Sequence, residues 1–275
     1  MKKIFAIFFA CILIFCFVNS VFAVSEVNNQ QSKTLLKLQY RDRLKNDGTL
    51  AKIQKRINDY YKVYSKDLLD LSVLKNPNSI EAKNVLKRME ESMMGIDSVT
   101  PGGLVGTLDL GSDPPNGQNN ISFSLFEDGD IILVHDGFCI YGYYRHAGTY
   151  DATYGKFVSA QAKDSGNGKG VIWESKTWYT DNYDEAVGMA VDYYKSDRQT
   201  VIKEVMKFLR DQLGKPYSLV PGYNVRDKWY CSKLPWVGWK EKSGIDISNG
   251  DYLIGMCIPD DIYYDADTFL FAYGD

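Results

Sequence analysis

Residues 229–236 read Trp-Tyr-Cys-Ser-Lys-Leu-Pro-Trp, a cysteine in an aromatic-rich stretch where a short helix is expected to begin. A thiol at a helix start lies against unpaired backbone N–H groups and the positive end of the helix dipole. Both favour the thiolate, and a neighbouring imidazole adds to the effect. Such a sulfur attacks a carbonyl carbon, and the same N–H groups can hold the oxyanion that results. The imidazole must come from elsewhere, because the Cys and His of such a pair meet in space rather than in sequence. The chain has two histidines, His135 and His146. His146 sits mid-strand in YYRHAGTY, where alternation aims it at one face. His135 adjoins Asp136-Gly137 and reads as a surface residue. The plainer reading of Cys231, a small buried apolar residue, stays open at this point.

The remaining cysteines narrow the setting. The chain has 275 residues and five cysteines, of which Cys11 and Cys16 fall in MKKIFAIFFACILIFCFVNSVFA. Lys2 and Lys3, the apolar run after them, and small residues at Val21 and Ala23 read as a secretory signal peptide over residues 1–23. An uncleaved membrane anchor is the alternative. Cys139, Cys231 and Cys257 remain, an odd number that excludes a disulfide framework and implies a free thiol or an intermolecular bridge. Pairing of Cys139 with Cys257 is left open. Two histidines and no Cys-x-x-Cys spacing predict no metal site, and no cofactor signature is present. A net charge of −3 with both signs interspersed predicts no nucleic-acid partner. No stable protein partner is implied.

The elements that must position Cys231 and His146 come in two blocks. Residues 24–99 carry Leu and Ile at helical spacing among Lys, Asp and Glu, broken at Asn46-Asp47-Gly48 and Lys75-Asn76-Pro77-Asn78. They read as a helical appendage or, in a sharper form, an autoinhibitory arm. Residues 100–120, rich in Gly, Pro, Asn and Asp, read as a linker. Residues 121–275 read as an α+β domain. Strands are expected in GDIILVHDGFCIYGYYRHAGTY, turning at Asp136-Gly137, then in KFVSAQA and GVIWES. An amphipathic helix capped at Ser196 or Asp197 should bury Val201, Val205, Phe208 and Leu209 and stop at Gly214 and Pro216. The tail reads as loop plus a terminal strand.

Five motifs in order, GDIILV, HAGTY, GKPYS, YCSKLPW and IPDDI, resemble the circularly permuted branch of the NlpC/P60 superfamily. Within it the chain is most similar to the YycO- and YiiX-like predicted cysteine amidases. The resemblance spans residues 127–262, with the His strand before the Cys helix, the reverse of the unpermuted order. It implies a permuted papain-like fold, with an antiparallel sheet packed against helices, Cys231 as nucleophile and His146 as general base. Tyr217, in GKPY, falls where the superfamily often places a Tyr near the site. Trp229, Tyr230 and Trp236 are expected as apolar walls.

Two departures matter. Relatives often follow the His strand with a segment ending Glu-Ala. Here Ser159-Ala160 falls on that pair, so no carboxylate is expected, and Ser159 or Gln161, on one strand face, is left to orient the imidazole. Pro235 lacks the N–H that would bond the Cys231 carbonyl, which is tolerable only in a first helical turn. The expected function is an exported cysteine hydrolase that cleaves an amide in a peptide or peptidoglycan-like substrate. The alternatives are transfer or hydrolysis of a lipid acyl group on the same fold, and a degenerate domain that binds peptide or lipid without cleaving it.

Overall fold

Residues 131–134 read Ile-Ile-Leu-Val, unbroken by polar residues, as a strand covered on both faces does. In the computed structural model, which describes residues 33–76, 78–93, 117–162, 168–193, 195–219, 222–249 and 256–275, they lie in the interior of a sheet. The expected signal peptide and most of the expected linker fall outside the described residues. The strands are β1 (Ile131–His135), β2 (His146–Asp151), β3 (Lys156–Gln161), β4 (Gly170–Glu174), β5 (Glu185–Val191) and β6 (Thr268–Gly274). They form one antiparallel sheet in the order β4-β3-β2-β1-β5-β6, so the fold is α+β as expected.

Each face of the sheet has its own apolar layer. Ile131 and Leu133 point to the side of α5 (Arg198–Arg210) and α6 (Lys233–Ser243). Ile132 and Val134 point to the other side, where Phe126, Phe157 and Phe271 meet Tyr179 of α4 (Lys176–Asp181). Asp197 precedes α5 as expected, and Val201, Val205 and Leu209 are buried on it, with Phe208 partly buried. Where α6 crosses α5 it carries Gly238, at which a Cβ would sit 3.2 Å from Leu209 and 3.4 Å from Phe208. That absence lets α6, which follows Cys231, lie directly on its neighbour.

Two expectations are corrected. Asp136-Gly137 does not close a tight turn. Residues 136–145 form a loop between β1 and β2, because Cys139, Ile140, Tyr141, Tyr143 and Tyr144 are buried and draw the chain inward. The tail is more than loop and strand: Pro259–Tyr264 is a helix, α7, started by a proline in its first turn and by Asp261, whose carboxylate accepts from the Ile258 N–H at 2.8 Å.

The N-terminal helices, one over residues 33–46 (α1), then α2 (Thr49–Tyr64), a 3₁₀ turn (Leu71–Lys75) and α3 (Ile80–Met93), share the core. Leu44, Ile53, Ile57 and Tyr60 belong to the same cluster as Leu133, Val187 and the α5–α6 layer. Buried Lys37 donates to Glu127 at 3.0 Å and to Asp130 at 2.6 Å. Arg56 pairs with Glu185, and Tyr60 donates to the Cys139 carbonyl at 2.7 Å while accepting from its N–H at 2.8 Å. Tyr61 donates to Asp260 at 2.5 Å. Among the described residues no helix is long and apolar enough to cross a membrane.

All five tryptophans lie at position 173 or later, so their fluorescence follows the sheet and not the N-terminal helices. Ile57→Ala, at a fully buried side chain on α2, should lower the urea midpoint of the Trp transition. The expected cost is about 2–5 kcal/mol, with a single cooperative transition. A Trp transition untouched by this change would show that the helices are a detached spacer.

Candidate active site

His146 opens β2, opposite Val134 of β1. Thr149 pairs with Val158 of β3, and the same register carried back brings His146 level with Gln161. Residues opposite each other in an antiparallel pair share a face. His146, Ser159 and Gln161 are therefore on one side of the sheet, as the sequence implied. On the next strand Phe157 pairs with Glu174, which puts this carboxylate on that face as well.

Glu174 is the residue that sequence reasoning missed. His146 Nε2 lies 3.1 Å from Glu174 Oε2 and 3.3 Å from Oε1. Ser159 Oγ is also 3.1 Å from Nε2, but it donates its own proton to the Ala147 carbonyl at 2.6 Å. Gln161 Nε2 is 3.3 Å from the ring, yet it donates to Glu174 Oε1 at 2.5 Å. Gln161 thus supports the carboxylate instead of replacing it, and the expectation of a site without a carboxylate is overturned. Glu174 is the only acidic residue in either β3 or β4. A charge ending the apolar strand GVIWE was the available signal.

A third donor reaches Glu174 from α4. The Tyr179 hydroxyl bonds Oε2, and the Tyr179 ring lies 6.0 Å from the imidazole at 17° to its plane. Tyr183 lies 6.4 Å from the imidazole at 7°. The phenol enters beneath β2 at Gly148, where any Cβ would collide with its oxygen. Position 148, two residues from His146, has to be glycine for this carboxylate to keep its third partner.

Cys231 arrives from the other side. Trp229 forms a parallel bridge to Tyr217, and its carbonyl accepts from the Ser218 N–H at 2.9 Å. The chain then turns into α6, capped at Ser232, whose hydroxyl donates to the Cys257 carbonyl at 2.7 Å. Tyr230 O accepts from Leu234 N and Ser232 O from Trp236 N, both at 3.3 Å. The bond between them in the ladder is missing because residue 235 is proline, and within the first turn this is tolerated. His146 lies within electrostatic reach of the Cys231 sulfur. With Nε2 held by Glu174, Nδ1 is the ring nitrogen left for another partner. The helix of Cys231 packs on one face of the sheet and Glu174 belongs to the other, so the two meet where β2 begins.

The electrostatics follow from burial. Cys231, His146 and Glu174 are 3%, 2% and 0% exposed. Burial disfavours the imidazolium, but the Glu174 carboxylate and the Cys231 sulfur outweigh it and push His146 up to about 10. The other histidine is no surface residue. Its Nδ1 is 2.6 Å from the Tyr143 carbonyl and its ring stacks on Tyr143 at 3.8 Å, and burial pushes it down to about 4.

The expected walls divide. Tyr230 and Tyr217 pack together with Tyr141, which lies within electrostatic reach of Cys231. Trp229 packs in the core against Phe208. Trp236, about 140° round the helix from Cys231 at ~100° per residue, is buried with its indole N–H on Asp246 at 2.7 Å. Cys139, Cys231 and Cys257 are all free thiols. Among the described residues no group of three or more His, Cys, Asp or Glu side chains is placed to hold a metal ion.

No family model matches the chain, and no curated protein matches it. Among solved structures it is similar to the metalloprotein YiiX from Escherichia coli O157:H7. The identity is 15%, over 52% of this chain and 95% of that one, with a TM-score of 0.40.

Two outcomes follow from the geometry. Gly148→Ala should cost about 1–3 kcal/mol by overpacking, and less in a Tyr179→Phe background, where the colliding oxygen is gone. Additive costs in denaturant titrations would rule out the contact. The second concerns pH. Unfolded His146 titrates near about 6.5, and the folded group near about 10. Over that window the folded state holds a proton that the unfolded state has released. The contribution is complete below the lower value and is lost as pH rises through the upper one. Stability measured from pH 6 to 10 should fall, and Glu174→Gln should flatten the fall. An unchanged slope in the variant would reject the coupling.

Proposed function

We propose that the chain is a cysteine hydrolase acting on an amide bond, with Cys231 as nucleophile, His146 as general base and Glu174 as the group that orients the imidazole. The observation that carries this reading is the buried His146–Glu174 pair at the start of β2, with Cys231 within electrostatic reach of the imidazole. His146, held as the imidazolium by Glu174, pairs with the Cys231 thiolate, which attacks the substrate carbonyl carbon. The Cys231 backbone N–H, at the start of α6, is the candidate oxyanion donor. Collapse breaks the C–N bond, and the imidazolium returns the proton to the leaving amine. The thioester is cleaved by water, with the now neutral His146 taking and keeping one water proton while the sulfur leaves as the thiolate. The Glu174 carboxylate holds the ring by its other nitrogen and compensates the imidazolium charge throughout.

The order of His strand before Cys helix supports a permuted papain-like arrangement. The expected signal peptide supports export, and a peptide in the cell wall is then a reasonable substrate. The apolar, tyrosine-rich surroundings of Tyr141, Tyr217 and Tyr230 favour a second reading on the same residues, hydrolysis or transfer of an acyl group through the same thioester. The degenerate-domain reading lost its motive when Glu174 supplied the carboxylate.

A panel of peptide amides and acyl esters separates these readings. Amine release by the wild type, none by Cys231→Ala, and a loss of about 10²–10⁴-fold in His146→Ala is the expected pattern. Glu174→Gln should lower kcat more than it changes KM. Release that survives intact in Cys231→Ala would overturn the proposal, and release from esters alone would favour the acyl reading.

A further inference from the structure

Cys231 is 3% exposed and His146 2%, so little of either side chain meets solvent in this arrangement. The third apolar cluster of the molecule shows what stands in the way. From the N-terminal segment it takes Leu69, Leu74, Ala82 and Met89, with Leu71, Val85 and Leu86 partly buried at its edge. From the sheet domain it takes Cys139, Ile140, Tyr141, Leu219, Tyr230 and Met256, edged by Ala162 and Tyr217.

These positions are neighbours of the site. Tyr230 precedes Cys231, and Ala162 follows Gln161. The Tyr141 hydroxyl donates to the carbonyl of Arg145, the residue before His146, at 2.5 Å. Tyr141 also lies within electrostatic reach of both Cys231 and Tyr217. The segments that deliver Cys231, His146 and Gln161 thus each present an apolar residue to one surface, and the 3₁₀ turn and α3 share its cluster.

The attachment is graded along the segment. α2 is fixed by Ile53 and Ile57, both fully buried, and by the Tyr60 and Tyr61 hydrogen bonds. The Leu69 N–H donates to the Ile140 carbonyl at 2.9 Å, and this is the last tie to the loop before His146. Beyond it, the described side chains of α3 bury only Ala82 and Met89, on a helix whose Ile80 is 69% exposed. Among the described side chains α3 thus has fewer buried anchors than α2, which buries Ile53, Ile57 and Tyr60.

We propose that the 3₁₀ turn and α3 are an autoinhibitory cover, hinged after α2, that occupies the apolar surface beside Cys231 and must be displaced before substrate binds. The inference rests on Cys231 being the nucleophile of the site described above. The displacing partner competes for that tyrosine-rich surface and therefore presents an apolar segment.

Access to the thiol tests this without any substrate. Trypsin releases Cys231 in a peptide, Trp229 to Lys233, that carries neither other free cysteine, so iodoacetamide labelling is read in the full chain by mass spectrometry. Leu74→Ala with Met89→Ala, which thins the packing beneath the cover, should speed labelling of Cys231 at least tenfold. Ile80→Ala, on the exposed side, should leave it unchanged. Should the double variant fold poorly, the wild type in mild urea carries the same test. Hydrogen exchange of α3 and labelling of Cys231 should then rise in parallel while α2 stays protected. Labelling within twofold of wild type in a variant whose α3 exchanges faster, or labelling that rises only with global unfolding, would overturn the cover. A loosened variant that labels fast and still turns over no amide or ester would keep the cover and remove the hydrolase reading.

Discussion

A carboxylate fully enclosed by protein is tolerable only if its charge is compensated, and Glu174 is so enclosed. Its compensation is His146, drawn toward the imidazolium by the carboxylate despite the opposing effect of burial. The same ion pair fixes the imidazole within reach of Cys231, so it orders the rest of the site. Removing either partner leaves the other charge uncompensated, which makes the pair costly to break whatever its net contribution to folding. Much of the surrounding sequence serves this constraint. Gln161 and Tyr179 donate to the carboxylate, Ser159 fills the space beside the ring, and Gly148 admits the Tyr179 phenol.

A second buried acid organises the approach to His146. Asp260, near the start of α7, accepts from the N–H groups of Tyr143 and Tyr144 at 2.9 and 2.7 Å and from Tyr61 of α2 at 2.5 Å. Burial pushes it up to about 6, against the pull of those three donors. One side chain therefore ties an N-terminal helix, a C-terminal helix and the loop that ends at His146. Lys37 does the same further along, bridging α1 to Glu127 and Asp130 at the start of the sheet. These long-range ties make the N-terminal helices part of the folded unit, although sequence alone reads them as an appendage.

That difference shows what the sequence could carry. Cys231 and His146 were legible because helix starts and strand alternation are local, and the structure brings both side chains together. Ser159 and Gln161 were legible by parity within one strand. Glu174 was not, because a strand's neighbour and register are set by long-range pairing. The Phe157–Glu174 pairing decides which carboxylate reaches the imidazole, and no spacing in the chain encodes it directly. Trp229 and Trp236 fail for a related reason. Closeness to the cysteine in sequence says nothing about which side of α6 a ring takes, and both rings go to the core. Tyr60 and Tyr61 look like ordinary helix positions until Cys139 and Asp260, far along the chain, meet them.

The site also has to reconcile dryness with access. Exclusion of water strengthens the Glu174–His146 coupling, since the attraction between charges grows as the effective dielectric falls. A site built wholly from movable parts would lose that coupling whenever it opened. Here the two requirements rest on different elements. Glu174 and the imidazole are enclosed by Phe157 of the sheet, Tyr179 of α4 and Tyr183 just after it, in a cluster that includes no residue of the 3₁₀ turn or α3. The mouth beside Cys231 is closed by the 3₁₀ turn and α3, which share no cluster with those three aromatics. Displacing the cover would therefore wet the sulfur side of the imidazole and leave the carboxylate side dry. On the proposed reading, the Glu174–His146 pair beside Cys231 persists when the cover is displaced.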